Sequence, residues 1–181
     1  MAQSDKLELQ QGDSRLDGRL LDGQLEGTLR IKEAGRPQAE LNYRQGELQG
    51  ISTLYHPNGR ISARLSYIDG KLQGLARFYS TEGTLQRKAS YHQGLLHGEA
   101  NNFFADGRLA EREHYRDGVR EGAYQRFHPN GKQALNARYL NGQLLEPGQA
   151  FASDGRPLDA DGKPISRLRW WFRQRMDPVE G

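Results

Sequence analysis

Cysteine is absent from the 181 residues. That excludes disulfides, zinc–thiolate centres, a cysteine nucleophile and, in the chain as written, the acylated cysteine of a lipoprotein. Apolar residues are scarce, at 35% with a mean hydropathy of −0.90. A closed globule of this size usually buries a larger core. An elongated single sheet needs less, because each strand touches only its neighbours. No apolar run approaches the ~20 residues that span a bilayer as a helix. The polar start, Met1 to Gln11, lacks the apolar stretch of a signal peptide. The expected location is therefore cytoplasmic, or periplasmic if a signal peptide precedes Met1. Charge of one sign is lacking too: 26 basic and 23 acidic residues leave +3. So mild an excess is no nucleic-acid footprint, and no nucleic-acid partner is expected.

Glycine is what the chain has in excess, with 22 residues against an average of about 7%. Its placement is periodic. Tyr43, Tyr67, Tyr91, Tyr115 and Tyr139 recur every 24 residues, each followed three positions later by Gly46, Gly70, Gly94, Gly118 or Gly142. Gly50, Gly74, Gly98 and Gly122 form a second series, and Gly59, Gly83, Gly107, Gly131 and Gly155 a third. Aromatics stand at Tyr55, Tyr79, Phe103, Phe127 and Phe151. Leucine recurs at Leu48, Leu72, Leu96 and Leu144, with Arg120 the exception. Shared periodicity in so many columns marks a tandem repeat.

Within one copy, alternation sets Ile51, Thr53 and Tyr55 on one face, and likewise Ile61, Ala63, Leu65 and Tyr67. Period-2 alternation broken by Pro57-Asn58-Gly59 and Asp69-Gly70 predicts two short antiparallel strands per copy, with Asn58-Gly59 taking positive φ. Glycine at three positions of each copy argues against a helix, at about 1 kcal/mol each. The aromatics are expected to form one ladder on one face, leaving the other face and the turns free to vary. The predicted fold is all-β: an elongated single-layer antiparallel meander of 24-residue hairpins with a short C-terminal helix. The expected divisions are a lead-in over 1–15, a repeat domain over 16–160, and a basic cap over 161–181.

No catalytic constellation emerges. His56 and His128 share a repeat position inside His-Pro-Asn-Gly and are read as turn-flanking residues three copies apart. His92 and His97 flank one turn with Glu99 as their nearest acidic residue. Zinc-type spacing, a phosphate loop and a nucleophile elbow are all missing. The expectation is no catalytic residue, no cofactor and no metal, and a protein that is not an enzyme.

The string Tyr67-Ile68-Asp69-Gly70-Lys71-Leu72-Gln73-Gly74, with Tyr55-His56-Pro57-Asn58-Gly59-Arg60, resembles the MORN-type repeat. It is most similar to the 24-residue variant of bacterial YwqK-family antitoxins. The resemblance covers about residues 20–156. It implies an elongated MORN-like hairpin sheet in a bacterial protein that binds and neutralises a toxin or secreted effector, including a type VI secretion effector. The partner would then be a protein, with membrane contact secondary. The pattern breaks at Asn102 and Arg126, where other copies carry Leu54 or Phe78, and at Glu146-Pro147.

Beyond Asp161-Gly162-Lys163-Pro164 the composition changes to Arg167-Leu168-Arg169-Trp170-Trp171-Phe172-Arg173. Helical spacing and Ser166 as a cap predict a helix stopped by Asp177-Pro178. It is expected to lay its Trp/Phe face over the last hairpin. The rival roles for this segment are a partner anchor and a contact with an anionic surface. Candidate partner-binding residues come from columns that differ between copies: Arg77, Phe78, Phe104 and Arg126, and from the tail Trp170, Trp171 and Arg173. The rival functions are a membrane-associated scaffold using the basic tail and, more weakly, an unrecognised hydrolase.

Overall fold

The structure, a computed structural model, describes residues 3–176, and the side chains of 172–176 lie outside that description. It is one 18-stranded antiparallel sheet, in which each strand pairs with strands adjacent in sequence. Accessible surface is 12168 Å², against about 8,900 Å² for a compact monomer of this mass. The surplus is that of a layer with no second layer packed on it. The meander of hairpins and the C-terminal helix, Arg167–Met176, agree with the sequence expectation. The sheet begins earlier than expected: Ser4–Gln11 is a full strand paired with Ser14–Leu21, so the lead-in is part of the sheet.

Two kinds of turn alternate along the meander. At the first, Asp69 (φ 48°) and Gly70 (φ 73°) both take left-handed backbone, the requirement of a type I′ hairpin. Gln45-Gly46, Gln93-Gly94, Asp117-Gly118 and Asn141-Gly142 repeat it. At the second, only Gly59 (φ 82°) is left-handed. Gly59 N donates to His56 O and His56 N donates to Arg60 O, so a bulge follows the turn. Asn58 therefore keeps ordinary backbone, contrary to expectation. Its contribution is its amide, which accepts from Arg60 N at 3.0 Å and donates to Thr81 O at 2.8 Å in the next copy.

Both turn series are stitched from copy to copy. On one edge Gly70 N donates to Leu48 O, Gly94 N to Leu72 O, Gly118 N to Leu96 O and Gly142 N to Arg120 O. Gln49 Oε1 accepts from Asp69 N, and Gln73 Oε1 from Gln93 N, both at 2.9 Å. Glu121 Oε2 accepts from Asn141 N at 2.7 Å. On the other edge His56 Nε2 lies 2.9 Å from Tyr79 O, and His128 Nε2 lies 2.8 Å from Phe151 O. These bonds tie each turn to its successor where side-chain packing is thin.

Successive residues of a strand face opposite sides of the sheet. One face carries Ala39, Leu54, Ala63, Phe78 and the Tyr67 series, with a floor of Ser52, Ala76, Ala89 and Ala100, each buried. Tyr43, Tyr67 and Tyr91 stand close enough for burial, then each other's charge, to raise the Tyr67 phenol. Tyr55 instead reaches Glu40 on the other face. The single aromatic ladder is thus corrected: the repeat cross-braces both faces, because Tyr55 and Tyr67 stand at opposite parity.

The last copy ends loosely. After Glu146-Pro147 a two-residue strand, Gln149–Ala150, pairs with Gln133–Leu140, and isolated bridges join Phe151 with Pro157 and Leu158 with Pro164. Ser166 caps the helix, its Oγ accepting from Arg169 N at 3.3 Å. Leu168 is 68% exposed and Trp171 45% exposed, Trp170 is half-buried, and the side chain of Phe172, part of the expected cover, lies outside the described residues.

Candidate functional site

The variable columns fall into two rows, one on each face. On the first face the register runs Asp17, Arg30, Glu40, Thr53, Arg64, Arg77, Lys88, Asn101, Arg112 and Gln125. Charges near its start are balanced: Asp17 binds Arg15 at 2.9 Å, and Arg30 lies 3.6 Å from Glu40. Near its end Arg112 lies 3.7 Å from Glu99. Between them Arg64, Arg77 and Lys88 are three cations opposite one another on consecutive strands. None of the three forms a salt bridge among the described residues. Like charges directly opposed in a sheet are destabilising.

The second row starts apolar and turns polar. Leu16, Ile31, Ala39, Leu54, Ala63 and Phe78 lead to Arg87, Asn102, Glu111 and Arg126. Arg87 Nη1 donates to Asn102 Oδ1 at 2.9 Å, and Asn102 Nδ2 to Glu111 Oε2 at 2.6 Å. The Tyr124 hydroxyl donates to Glu111 Oε1. Burial, then this bond, pushes the Tyr124 phenol up to about 12. Beside it the buried Glu113 accepts from Arg120 Nε at 2.9 Å, and Arg120 also lies over the rings of Tyr124 and Tyr139. Asn102 is therefore one link of a network whose other members are Arg87, Glu111, Glu113, Arg120 and Tyr124. Sequence reasoning selected none of these as site residues: Arg120 stood out only as the break in the leucine column, and Glu111 and Glu113 read as acids of a solvated face, whereas Glu113 is buried. The usable signal was Arg87 and Glu111 standing in the column of Ala39 and Ala63.

The seven sequence-selected residues do not form one surface. Arg77 is on the first face, whereas Phe78 and Arg126 are on the second. Phe104 lies in the bulged turn, where its N donates to Arg108 O. Trp170 and Trp171 are on the terminal helix, and the side chain of Arg173 lies outside the described residues. Grouping Arg77 with Phe78 and Arg126 is corrected by the period-2 pleat, which turns neighbours to opposite sides.

A third cluster lies on the type I′ edge. His92, His97 and Asp117 bring donor atoms within 4.8 Å of one another. The expectation that Glu99 is the only carboxylate near these histidines is corrected by Asp117, carried there by turn stacking. His97 Nδ1 lies 3.1 Å from Asp117 Oδ1. Where the last copy breaks, an open groove is lined by Gly122, Ala137, Arg138, Leu145, Pro147 and Gly148.

A family model described as a MORN repeat variant matches residues 48–69 and 72–93. The chain carries MORN-type repeats. Hairpins stitched edge to edge around those two copies continue the same pattern on both sides. MORN repeats fit a binding or scaffold role. No curated protein matches the chain. Among solved structures, a mutant of S. aureus TarM in complex with Fondaparinux, alpha-GlcNAc-glycerol and UDP is similar over 64% of this chain. Identity is 12% and the TM-score 0.38, and the match spans 21% of that protein's length. Likeness at that level carries no functional argument. No helix among the described residues is long and apolar enough to cross a membrane.

Proposed function

We propose that this MORN-repeat protein is a non-catalytic antitoxin or immunity protein that neutralises a toxin by occupying its surface. The observation that carries the reading is the unbalanced row Arg64, Arg77 and Lys88. Stitched turns hold the row in register, so little ordering entropy remains to be lost on binding. Its partner presents an acidic patch, and charge steering would speed the encounter. The test is co-expression with each reading frame adjacent to the gene that is toxic when expressed alone, read as growth rescue. Wild type should rescue, and Arg77→Glu with Lys88→Glu should abolish rescue with folding unchanged by circular dichroism. Full rescue by the doubly reversed variant, or none by wild type, refutes the reading.

A second reading, a membrane-associated scaffold, is favoured by the exposed Leu168 and Trp171 beside Arg167 and Arg169. Such a segment suits an anionic interface. Co-sedimentation with phosphatidylglycerol vesicles that depends on Trp171 would favour it over neutralisation.

A further inference from the structure

We propose that His92, His97 and Asp117 form a binding site for a divalent first-row transition ion, with zinc the representative ion. The donor atoms lie within 4.8 Å of one another. Metal–ligand bonds of about 2.0–2.1 Å set neighbouring donors roughly 3 Å apart. Small side-chain rotations close that difference, and the His97–Asp117 pair is already 3.1 Å apart. The two imidazoles are neighbours, tilted at 59° to each other with ring centroids 5.5 Å apart. Two imidazoles and one carboxylate suit zinc and its neighbours better than magnesium or calcium, which prefer all-oxygen sets.

The backbone beneath the site is hydrogen-bonded from one turn to the next. His92 and His97 flank the type I′ turn Gln93-Gly94, and Asp117 begins the next such turn. Gly118 N donating to Leu96 O at 2.8 Å locks the two turns together.

Comparison between copies gives a second argument. The column of His97 holds Gln49, Gln73 and Glu121, whose side-chain oxygens accept from the next turn's backbone. His97 meets the Asp117 side chain instead. The column of His92 holds Arg44, Ile68, Arg116 and Leu140. Neither histidine is required by the repeat, yet both occur in one copy, on one hairpin. The other three are engaged elsewhere: His56 and His128 with the next copy's carbonyls, and His114 Nδ1 3.0 Å from Ala123 O. All three ligands are exposed, so the ion keeps an open position for a further donor.

The same columns supply substitutions the fold already tolerates: His97→Gln, His92→Arg and Asp117→Asn. Zinc chloride titrated into the full, untagged chain by calorimetry should show one saturable site. Each substitution should weaken it tenfold or more while leaving the metal-free melting temperature unchanged. Magnesium chloride should give no saturable heat. Absence of a saturable zinc site overturns the proposal. So does zinc affinity that survives all three substitutions, which marks adventitious surface binding. Should any variant fail to fold, the other two decide. Toxin rescue is read separately, so this site and the cationic row stand or fall independently.

Discussion

Replacing His56 with alanine removes one side-chain bond between copies, the contact of Nε2 with Tyr79 O at 2.9 Å. A single bond of this kind contributes about 0.5–1.5 kcal/mol net. For a chain of this length, each kcal/mol shifts the melting temperature by roughly 2–4 °C. His128→Ala removes the equivalent contact with Phe151 O. Six strand spacings of about 4.8 Å separate the two turns, or ~29 Å, too far for direct coupling. The double variant should therefore lose about twice the single loss, roughly 2 kcal/mol, and melt roughly 4–8 °C lower. His92 is exposed and makes no such stitch, so His92→Ala should stay within about 0.5 kcal/mol of wild type. Urea unfolding followed by circular dichroism gives the free energies, and thermal melts give the shifts. Wild-type stability for both single variants would refute the stitching argument. A double variant far from the sum would refute the nearest-neighbour picture of the sheet.

Two further predictions concern backbone and ionisation. Gly70→Val and Gly94→Val place a β-branched residue at φ 73° and 86° with open space around the new Cβ. The loss, on the order of 1–3 kcal/mol each in denaturant melts, is thus backbone strain without a clash. Unchanged melts would refute the type I′ assignment. Tyr124 is held protonated by burial and its bond to Glu111, with its phenol raised to about 12. Its folded value lies above the unfolded one, near 10. The stabilisation is therefore fully present below about pH 10 and lost as pH rises through the folded value. Tyr124→Phe should flatten the decline in stability across pH 10–12, and an unchanged alkaline profile would refute the role.

The 24-residue period, the positions of the turns and the strand alternation were legible in the sequence because they are local, whereas the bulged form of the Asn58-Gly59 turn was not. Glycine and Asn-Gly or Asp-Gly chemistry acts over four residues, and the pleat over two. The helix start at Ser166 was legible for the same reason. What only the tertiary structure decided depends on register between strands whose facing residues lie 9–15 positions apart in sequence. Register set Arg64, Arg77 and Lys88 opposite one another, and it placed Arg126 in the row of Phe78 rather than that of Arg77. It also joined Arg87, Asn102, Glu111 and Tyr124 into one hydrogen-bonded chain. Turn stacking carried Asp117 to His97 across 20 residues of sequence. The repeat pattern encodes each hairpin, but the sheet-wide sum of pairings selects the neighbours, and those neighbours form the sites.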